Sequence, residues 1–228
     1  MTTLHHIRRV GKDNVAIVHI ARQAPHMAHA KSASETQDAY HHGDLRRALV
    51  DGALRLFAER GSFSFSMREL ALAAGVTHNA PYRHFKNKGE LLAAIRADGL
   101  AMLDSLAQKT LRRAEATPRA RVRALGSAYV RFALEHPHHF RLVLHNPLAA
   151  EDAVMTRSGA YQLLEACLEE GRAAGVVRRD KSARQLALVA WSLVHGLASL
   201  LVTAQLPNAR IRHYTTLLDD VFFEGVLC

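Results

Sequence analysis

The sequence has 228 residues and is basic, with 30 Lys and Arg residues against 21 Asp and Glu residues and a formal charge of +9. Hydrophobic residues make up 49% of the chain and charged residues 22%, which excludes an intrinsically disordered protein and is sufficient for a sizeable core. The excess of positive charge favours a polyanionic partner, with nucleic acid first and an acidic membrane surface second.

The cysteines and histidines do not form a metal-site pattern. Cys167 and Cys228 lie far apart without a C-x-x-C spacing, so we expect neither a disulfide framework nor a zinc site, and a reducing, cytoplasmic location is favoured. Three of the 15 histidines cluster in the segment 136–139, but a proline interrupts them and no Cys, Asp or Glu completes a ligand set. We therefore expect no bound metal and no cofactor.

The first 43 residues differ from the rest of the chain. They are rich in His, Ala, Ser and Gln and lack a sustained apolar face, which predicts a flexible N-terminal arm over residues 1–43. Met27 leaves a second interpretation open, in which translation starts there. The apolar run from Val15 to Ala21 is too short for a signal peptide, so we expect none.

Helical periodicity dominates from residue 44 onward, and few alternating strand patterns occur. Polar N-caps, glycines and prolines delimit the elements. The predicted helices cover 44–61, two short stretches within 66–85, then 88–113, 119–135, a short helix from 137, 151–174, 182–206 and 210–223. Such a succession, with about nine helices and no sheet, predicts an all-α protein.

The segment 66–85 has the pattern of a helix-turn-helix. Ser66 and Glu69 form a capping box that begins the first short helix. Gly75 occupies a turn position that requires tolerance of positive φ, and Thr77 can cap the second helix. Pro81 is compatible only with a first helical turn, so the second helix is expected to begin at Thr77 or at the next residue. In DNA-binding proteins of this type the second helix enters the major groove.

The second helix offers side chains that suit DNA. Asparagine can make a bidentate pair with adenine, histidine and tyrosine can donate to phosphates or bases, and lysine supplies salt-sensitive phosphate contacts. A helical hairpin from a protein-binding module, with solvated basic residues, is the alternative interpretation. The exposed set is His78, Asn79, Tyr82 and His84, with Lys86 and Lys88 beyond them.

A resemblance favours the DNA-binding interpretation. Residues 82–92 read Tyr-Arg-His-Phe-Lys-Asn-Lys-Gly-Glu-Leu-Leu, which resembles the Tyr-x-His-Phe-x-x-Lys-x-x-Leu signature of tetracycline-repressor (TetR) type regulators. The preceding Leu-Ala-x-Ala-Ala-Gly-Val is similar to the same family. The resemblance implies a three-helix DNA-binding domain over residues 44–92 and a helical ligand-sensing and dimerisation domain over residues 93–228.

The resemblance also implies roles for single residues. Those at 78–80 resemble base-reading positions, although an alanine offers only a methyl contact, and Phe85 resembles a core residue that seats the recognition helix. Ser66, Tyr82, His84 and Lys88 resemble phosphate-binding positions. The DNA-binding residues expected from the sequence are Ser66, Thr77, His78, Asn79, Ala80, Tyr82, His84 and Lys88.

The segment from Leu186 to Ala204 contains no Asp, Glu, Lys or Arg and approaches the length of a membrane span. Its polar residues and amphipathic neighbours instead favour a helix shared between a core and a subunit interface, with no membrane partner. We expect a homodimer through the helices 182–206 and 210–223. The predicted stripe is Leu186, Leu193, Leu197 and Leu200, with Val189, Leu201 and Ala204 on the other side.

The stretch Trp191-Ser-Leu-Val-His195-Gly196 resembles the Trp-His-Gly pattern of one class of TetR-type C-terminal domains. Trp191 and His195 share a helix face and could contact a ligand, or they could be core residues. Ser192 and His195 lack a third catalytic member, so no enzyme activity is expected. The candidate pocket residues are Arg131, Phe132, His136, Phe140, Leu144, Trp191 and His195.

Together these features predict a ligand-responsive repressor that binds a palindromic DNA operator as a dimer and is released by a small molecule. A TetR-like activator, or a global DNA-binding factor without an inducer, is the alternative.

Overall fold

A computed structural model describes residues 42–144 and 158–226 of the chain. The predicted N-terminal arm, with Met27, lies outside these residues, apart from the first residues of the first helix. The described part is all-α and contains no β-strand, which confirms the predicted fold class. Its helices are α1 (His42–Arg60), α2 (Met67–Ala73), α3 (Lys88–Leu111), α4 (Pro118–Glu135), α5 (Pro137–Leu144), α6 (Gly159–Ala173), α7 (Ala183–Val202) and α8 (Ile211–Val226).

Helices α1 and α2 pack with the start of α3 around one apolar cluster. Leu49 and Ala53 of α1 and Leu70 of α2 are fully buried in it, together with Leu91 of α3. Burying each of the three leucine side chains contributes roughly 1.5–3 kcal/mol. Gly75, with φ of +70°, turns the chain after α2, which confirms the expected positive φ there.

The remaining helices form two further apolar clusters. One contains residues of α4, α6, α7 and α8, including Leu168 and Phe223, and the other contains Phe132 of α4 and Leu201 of α7. Helix α5 contacts both halves of the protein. Its Leu142 belongs to the cluster of α1 and α2, whereas its Phe140 lies in the cluster of α4 and α7.

Observed helix boundaries agree with the predicted ones to within a few residues in most cases. Helix α6 begins at Gly159 behind the N-cap Ser158, whereas the sequence predicts a start near Glu151. Residues 145–157 lie outside the described part of the chain. Ser158 is an effective cap because its hydroxyl oxygen accepts a hydrogen bond from the Tyr161 backbone N–H.

Helix α7 has the length and apolar composition that a membrane span also needs. One of its sides is nevertheless packed inside the protein, as in the core helix of a globular domain. The predicted leucine stripe is wrong in its grouping, because Leu186 and Leu197 are buried with Leu201, whereas Leu193 and Leu200 are exposed. A helix that is apolar on nearly all sides gives no sequence signal for which side faces the core.

Candidate nucleic-acid interface and effector cavity

The predicted capping box is present at the N-terminus of α2. The Ser66 hydroxyl oxygen accepts a hydrogen bond of 3.1 Å from the Glu69 backbone N–H, and the Glu69 carboxylate accepts one of 2.7 Å from the Ser66 backbone N–H. Arg60, at the end of α1, donates to the same carboxylate at 2.8 Å. These contacts fix the start of the helix-turn-helix relative to α1.

The Glu69 carboxylate has a pKa lowered to about 2 by its donors. The largest cause is the Ser66 backbone N–H, followed by Arg60 and the Ser66 hydroxyl. The carboxylate is therefore ionised at neutral pH and already occupies the N-terminus of α2. A phosphate that approaches Ser66 would meet this negative charge, which makes Ser66 a poorer phosphate contact than its position in the motif implies.

The second element of the helix-turn-helix is not the expected α-helix. The chain forms a turn after Thr77 and then a short 3₁₀-helix, Ala80–Arg83, without a side-chain cap. Its hydrogen bonds span three residues, such as that from the Tyr82 N–H to the Asn79 carbonyl at 3.2 Å. Pro81 explains the difference, because its ring excludes the carbonyl of the residue four positions earlier and it has no N–H to donate.

This segment, residues 77–84, is called the recognition segment below. Thr77, His78, Asn79 and Tyr82 are exposed, whereas Ala80 and His84 are half-buried. Pro81 and Phe85 are buried, and Phe85 packs in the apolar cluster of α1 and α2. Most of the polar side chains of this segment are therefore in contact with solvent.

Two cation–π contacts hold the flanks of the recognition segment. The Lys88 ammonium lies 4.8 Å from the ring centroid of Phe65, close to the N-terminus of α2. The Arg46 guanidinium of α1 lies 5.4 Å from the ring centroid of Phe85. Each contact keeps its cation beside the recognition segment, and the cation can still bind a phosphate there.

Sequence reasoning missed Arg83, which is exposed in the same 3₁₀-helix as Tyr82. The sequence does indicate this residue, because Arg83 stands between Tyr82 and His84 of the Tyr-x-His-Phe signature. An exposed arginine there adds a bidentate donor suited to a phosphate or a guanine. Exposed Arg68 of α2 is a second cation that sequence reasoning did not select.

A cavity of about 190 Å³ lies between α4, α6, α7 and α8. Its wall is mainly apolar, with one aromatic side chain from each of these four helices. The residues that line it include Leu103, Leu125, Tyr129, Tyr161, Leu164, Trp191, Val194, Leu197 and Phe222.

Of the pocket residues predicted from the sequence, the structure places only some at the cavity. Trp191 lines the cavity, and His195 lies against it through the Tyr129 hydroxyl, which is 2.7 Å from the His195 Nδ1. Phe132 and Phe140 are buried core residues.

The other candidates lie elsewhere. Arg131 and His136 border a separate, more open groove between α1, α3 and α4, and Arg131 is paired there with Glu135. The side chain of Leu144 lies outside the described residues. The pocket assignment as a whole remains a prediction.

The polar groups at the cavity include one ion pair. Arg123 donates from Nε to the Asp219 carboxylate at 2.9 Å and also contacts it through Nη2, so the two charges neutralise each other. Burial raises the pKa of the Tyr129 hydroxyl, an effect that the neighbouring Trp191 partly offsets. Burial lowers the pKa of His195, which is therefore neutral at pH 7.

An apolar surface remains exposed on α7 and α8, and we call it the α7–α8 face. It consists of Val189, Leu193, Leu200, Leu217 and Val221, with exposed fractions of 51, 40, 39, 54 and 58%. Gly196 lies among these residues on α7, and a Cβ atom added to it would meet nothing within 4 Å. Exposed apolar patches of this kind are typical of interaction surfaces.

The histidines of the segment 136–139 do not form a metal site in the described residues, where no group of three metal-binding side chains occurs. His138 instead packs edge-on against Phe57 of α1, with ring centroids 5.4 Å apart. His139 is buried, and its burial lowers its pKa. These rings fill space between α5 and the helices α1 and α3.

The geometry defines an all-α protein with an N-terminal helix-turn-helix and a helical C-terminal half. Residues 49–95 match the family described as bacterial regulatory proteins, tetR family. Residues 122–221 match the family described as tetracyclin repressor-like, C-terminal domain. The chain belongs to the TetR family of regulators.

Curated relatives match in the N-terminal part. The HTH-type transcriptional regulator AcrR of Shigella flexneri is 48% identical over 52 residues, which are 23% of this chain and 24% of that protein. The HTH-type transcriptional regulator BetI of Rhizobium meliloti (strain 1021) is 40% identical over 80 residues, which are 35% of this chain and 39% of that protein. The matches thus span less than half of each relative.

Solved structures match over most of the chain. A protein of unknown function from Rhodococcus sp. RHA1 is 34% identical, with a TM-score of 0.72, and covers 84% of this chain and 100% of its own. A TetR family transcription regulator from Marinobacter aquaeolei VT8 is 20% identical with a TM-score of 0.64, and covers 80% of this chain and 95% of its own. At 20% identity, the similarity to the Marinobacter aquaeolei protein supports only the assignment of the fold.

Proposed function

We propose that this protein is a dimeric transcription repressor that binds a palindromic operator in the cytoplasm and is released by a small molecule. The observation that carries the proposal is the recognition segment, whose exposed polar side chains follow a capped helix and a glycine turn. Membership of the TetR family supports the same function, and the basic charge of the chain suits a polyanionic partner.

DNA recognition is assigned to the recognition segment and its flanks. His78 and Asn79 stand at its exposed start, where side chains of a helix-turn-helix reach base edges. Tyr82 and Lys88, together with Arg83, supply donors for phosphates on either side. Ser66 contributes mainly by fixing α2, since its hydroxyl is engaged with Glu69.

The α7–α8 face supplies the dimer contact. Packing it against a symmetry mate would bury five large apolar side chains per protomer in a four-helix arrangement with two-fold symmetry. Gly196 would allow the two copies of α7 to approach closely. A two-fold dimer presents two recognition segments related by symmetry, which accounts for a palindromic operator.

The cavity favours a ligand-released repressor over a DNA-binding factor without an inducer. It lies among helices that also carry the α7–α8 face, since α7 and α8 contribute to both. A ligand that binds one arrangement of these helices better than another would change the spacing of the two recognition segments.

The test is binding to the DNA upstream of the protein's own gene. We expect a retarded complex in a gel shift, a footprint with two-fold symmetry, and loss of the complex when Asn79 and Tyr82 are both replaced by alanine. A double variant that remains folded and binds as tightly as the wild type would contradict the assigned interface. Failure of the wild type to bind any segment of that DNA more tightly than unrelated DNA would contradict the proposed function.

A further inference from the structure

The cavity between α4, α6, α7 and α8 restricts which compounds can enter it. Its volume of about 190 Å³ is only slightly larger than the roughly 150 Å³ cavity that holds benzene in a protein core. A single ring with a short substituent fits this space, whereas a substituted pair of fused rings, with about thirteen non-hydrogen atoms, exceeds it. Size therefore selects compounds of about ten non-hydrogen atoms.

The charges at the cavity exclude an ionic ligand. Among the described lining residues, the charged side chains are Arg123 and Asp219, and they pair with each other. Asp219 also faces Arg119 of α4, whose Nη2 is 3.4 Å from the carboxylate. A charged ligand would lose its hydration without gaining an unpaired counter-charge, which is costly in a largely apolar site.

One polar group at the cavity has an unused hydrogen-bonding capacity. The Trp191 Nε1 is buried from solvent, and its N–H makes no hydrogen bond to the protein within the described residues. The neighbouring Tyr129 hydroxyl, which is 2.7 Å from the His195 Nδ1, interacts with Trp191 strongly enough to offset part of the rise that burial causes in its pKa, but it does not reach hydrogen-bond geometry with the Trp191 N–H. Buried donors without an acceptor are rare, because each one costs about 1–3 kcal/mol.

We propose that the cavity binds a small uncharged compound with a single ring, whose oxygen acceptor takes the hydrogen bond of the Trp191 N–H. The proposal rests on the proposed function, since it names the chemical class of the releasing ligand. The aromatic wall, which includes Tyr129, Tyr161 and Phe222, favours edge and face contacts with an aromatic ring.

Acetophenone and α-methylstyrene provide a matched pair of probes. The two molecules have nearly the same shape, but only acetophenone carries an oxygen acceptor. Binding to the full chain is measured without DNA by calorimetry and by the emission of Trp191, the single tryptophan of the sequence. We expect acetophenone to bind about three- to tenfold more tightly, as one added hydrogen bond implies.

The variant Trp191→Phe keeps an aromatic ring but removes the N–H donor together with part of the indole, so the two probes are compared with each other within the variant, where both meet the same enlarged cavity. We expect it to bind the two probes with nearly equal affinity. A preference for acetophenone that persists in this variant, or equal affinities in the wild type, would overturn the role of Trp191. If the variant does not fold, Ala190→Leu, which fills the cavity from α7, must abolish acetophenone binding, and retained binding would place the site elsewhere.

Two further probes test size and charge. We expect 2-acetonaphthone, which has two fused rings, and benzoate, which is anionic, to bind far more weakly than acetophenone. Tighter binding of either one would overturn that part of the proposal. Acetophenone that binds but does not release the operator would support the ligand class and contradict the release step of the proposed function. Absence of binding by a protein that still binds its operator would overturn the ligand class alone.

Discussion

Replacing Leu193 with glutamate should convert the proposed dimer into monomers that remain helical. Leu193 is 40% exposed and lies on the α7–α8 face, so a carboxylate at this position is solvated in a monomer. In the dimer the same carboxylate would be buried beside its symmetry mate. The substitution therefore distinguishes an interface residue from a core residue, because a glutamate at a buried core position would unfold the protein instead.

The size of the expected change in the dimer Kd follows from the exposed fractions of the residues on the α7–α8 face. Full burial of a large apolar side chain contributes roughly 1.5–3 kcal/mol, so each half-exposed residue of the α7–α8 face contributes about 1 kcal/mol on pairing. The five residues of both protomers then supply about 10 kcal/mol against an association cost of about 4–15 kcal/mol. Leu193→Glu removes part of this gain and buries two carboxylates, each costing several kcal/mol, so the dimer Kd should rise at least about 100-fold.

Sedimentation at micromolar concentration measures the dimer, and circular dichroism checks that helix content is unchanged. Val176→Glu is the matched control, because Val176 is 43% exposed but lies outside α7 and α8. Gly196→Leu should give the same monomers without added charge, since its side chain meets nothing in the free protomer. A Leu193→Glu protein that still sediments as a dimer would refute this interface, and a wild type that sediments as a monomer would refute the dimer itself.

Three further substitutions address the DNA-facing side. Asn79→Ala should cost roughly 1–3 kcal/mol at one preferred base pair per half-site, measured by competition among operator variants; a uniform loss would assign Asn79 to phosphates. Lys88→Ala should lower the salt dependence of binding by about one charge, whereas Lys109→Ala, near the other end of α3, should leave it unchanged. Glu69→Gln keeps a capping side chain but loses the charge. Because the pKa of Glu69 is lowered to about 2, its extra stabilisation is present above pH 4.5 and disappears as the pH falls through 2. Urea unfolding should show that the free energies of unfolding of the wild type and of Glu69→Gln converge over that pH range. A difference that does not depend on pH would contradict a stabilising role of the Glu69 charge.

Local chemistry explains why the helix-turn-helix could be predicted from the sequence. The Ser66–Glu69 capping box and the positive φ of Gly75 depend on residues a few positions apart, and both are observed as expected. The 3₁₀ form of the recognition segment was missed although Pro81 carries its cause. The sequence shows that a proline disturbs a helix, but whether the chain shifts the helix start or tightens the turn depends on how Pro81 and Phe85 pack beneath it.

The cavity could not be predicted in the same way, because helical spacing identifies residues on one side of a helix without saying what that side faces. Phe132 of α4 and His136, the residue directly after that helix, are four positions apart, yet Phe132 is buried in the core and His136 borders the open groove. The cavity is lined instead by Leu125 and Tyr129 of the same helix. The packing of α4 against α6, α7 and α8 determines which of its sides faces the cavity.

Helix α7 links the cavity to the proposed dimer contact through its own geometry. Ala190, Trp191 and Val194 face the cavity, while Leu193 and Gly196, one or two positions away, lie on the exposed side. Close-packed helices shift as rigid units rather than deforming residue by residue, so a ligand that displaces Trp191 must displace the α7–α8 face with it. The apolar composition that makes α7 ambiguous in the sequence is thus what two opposite contacts on one helix require.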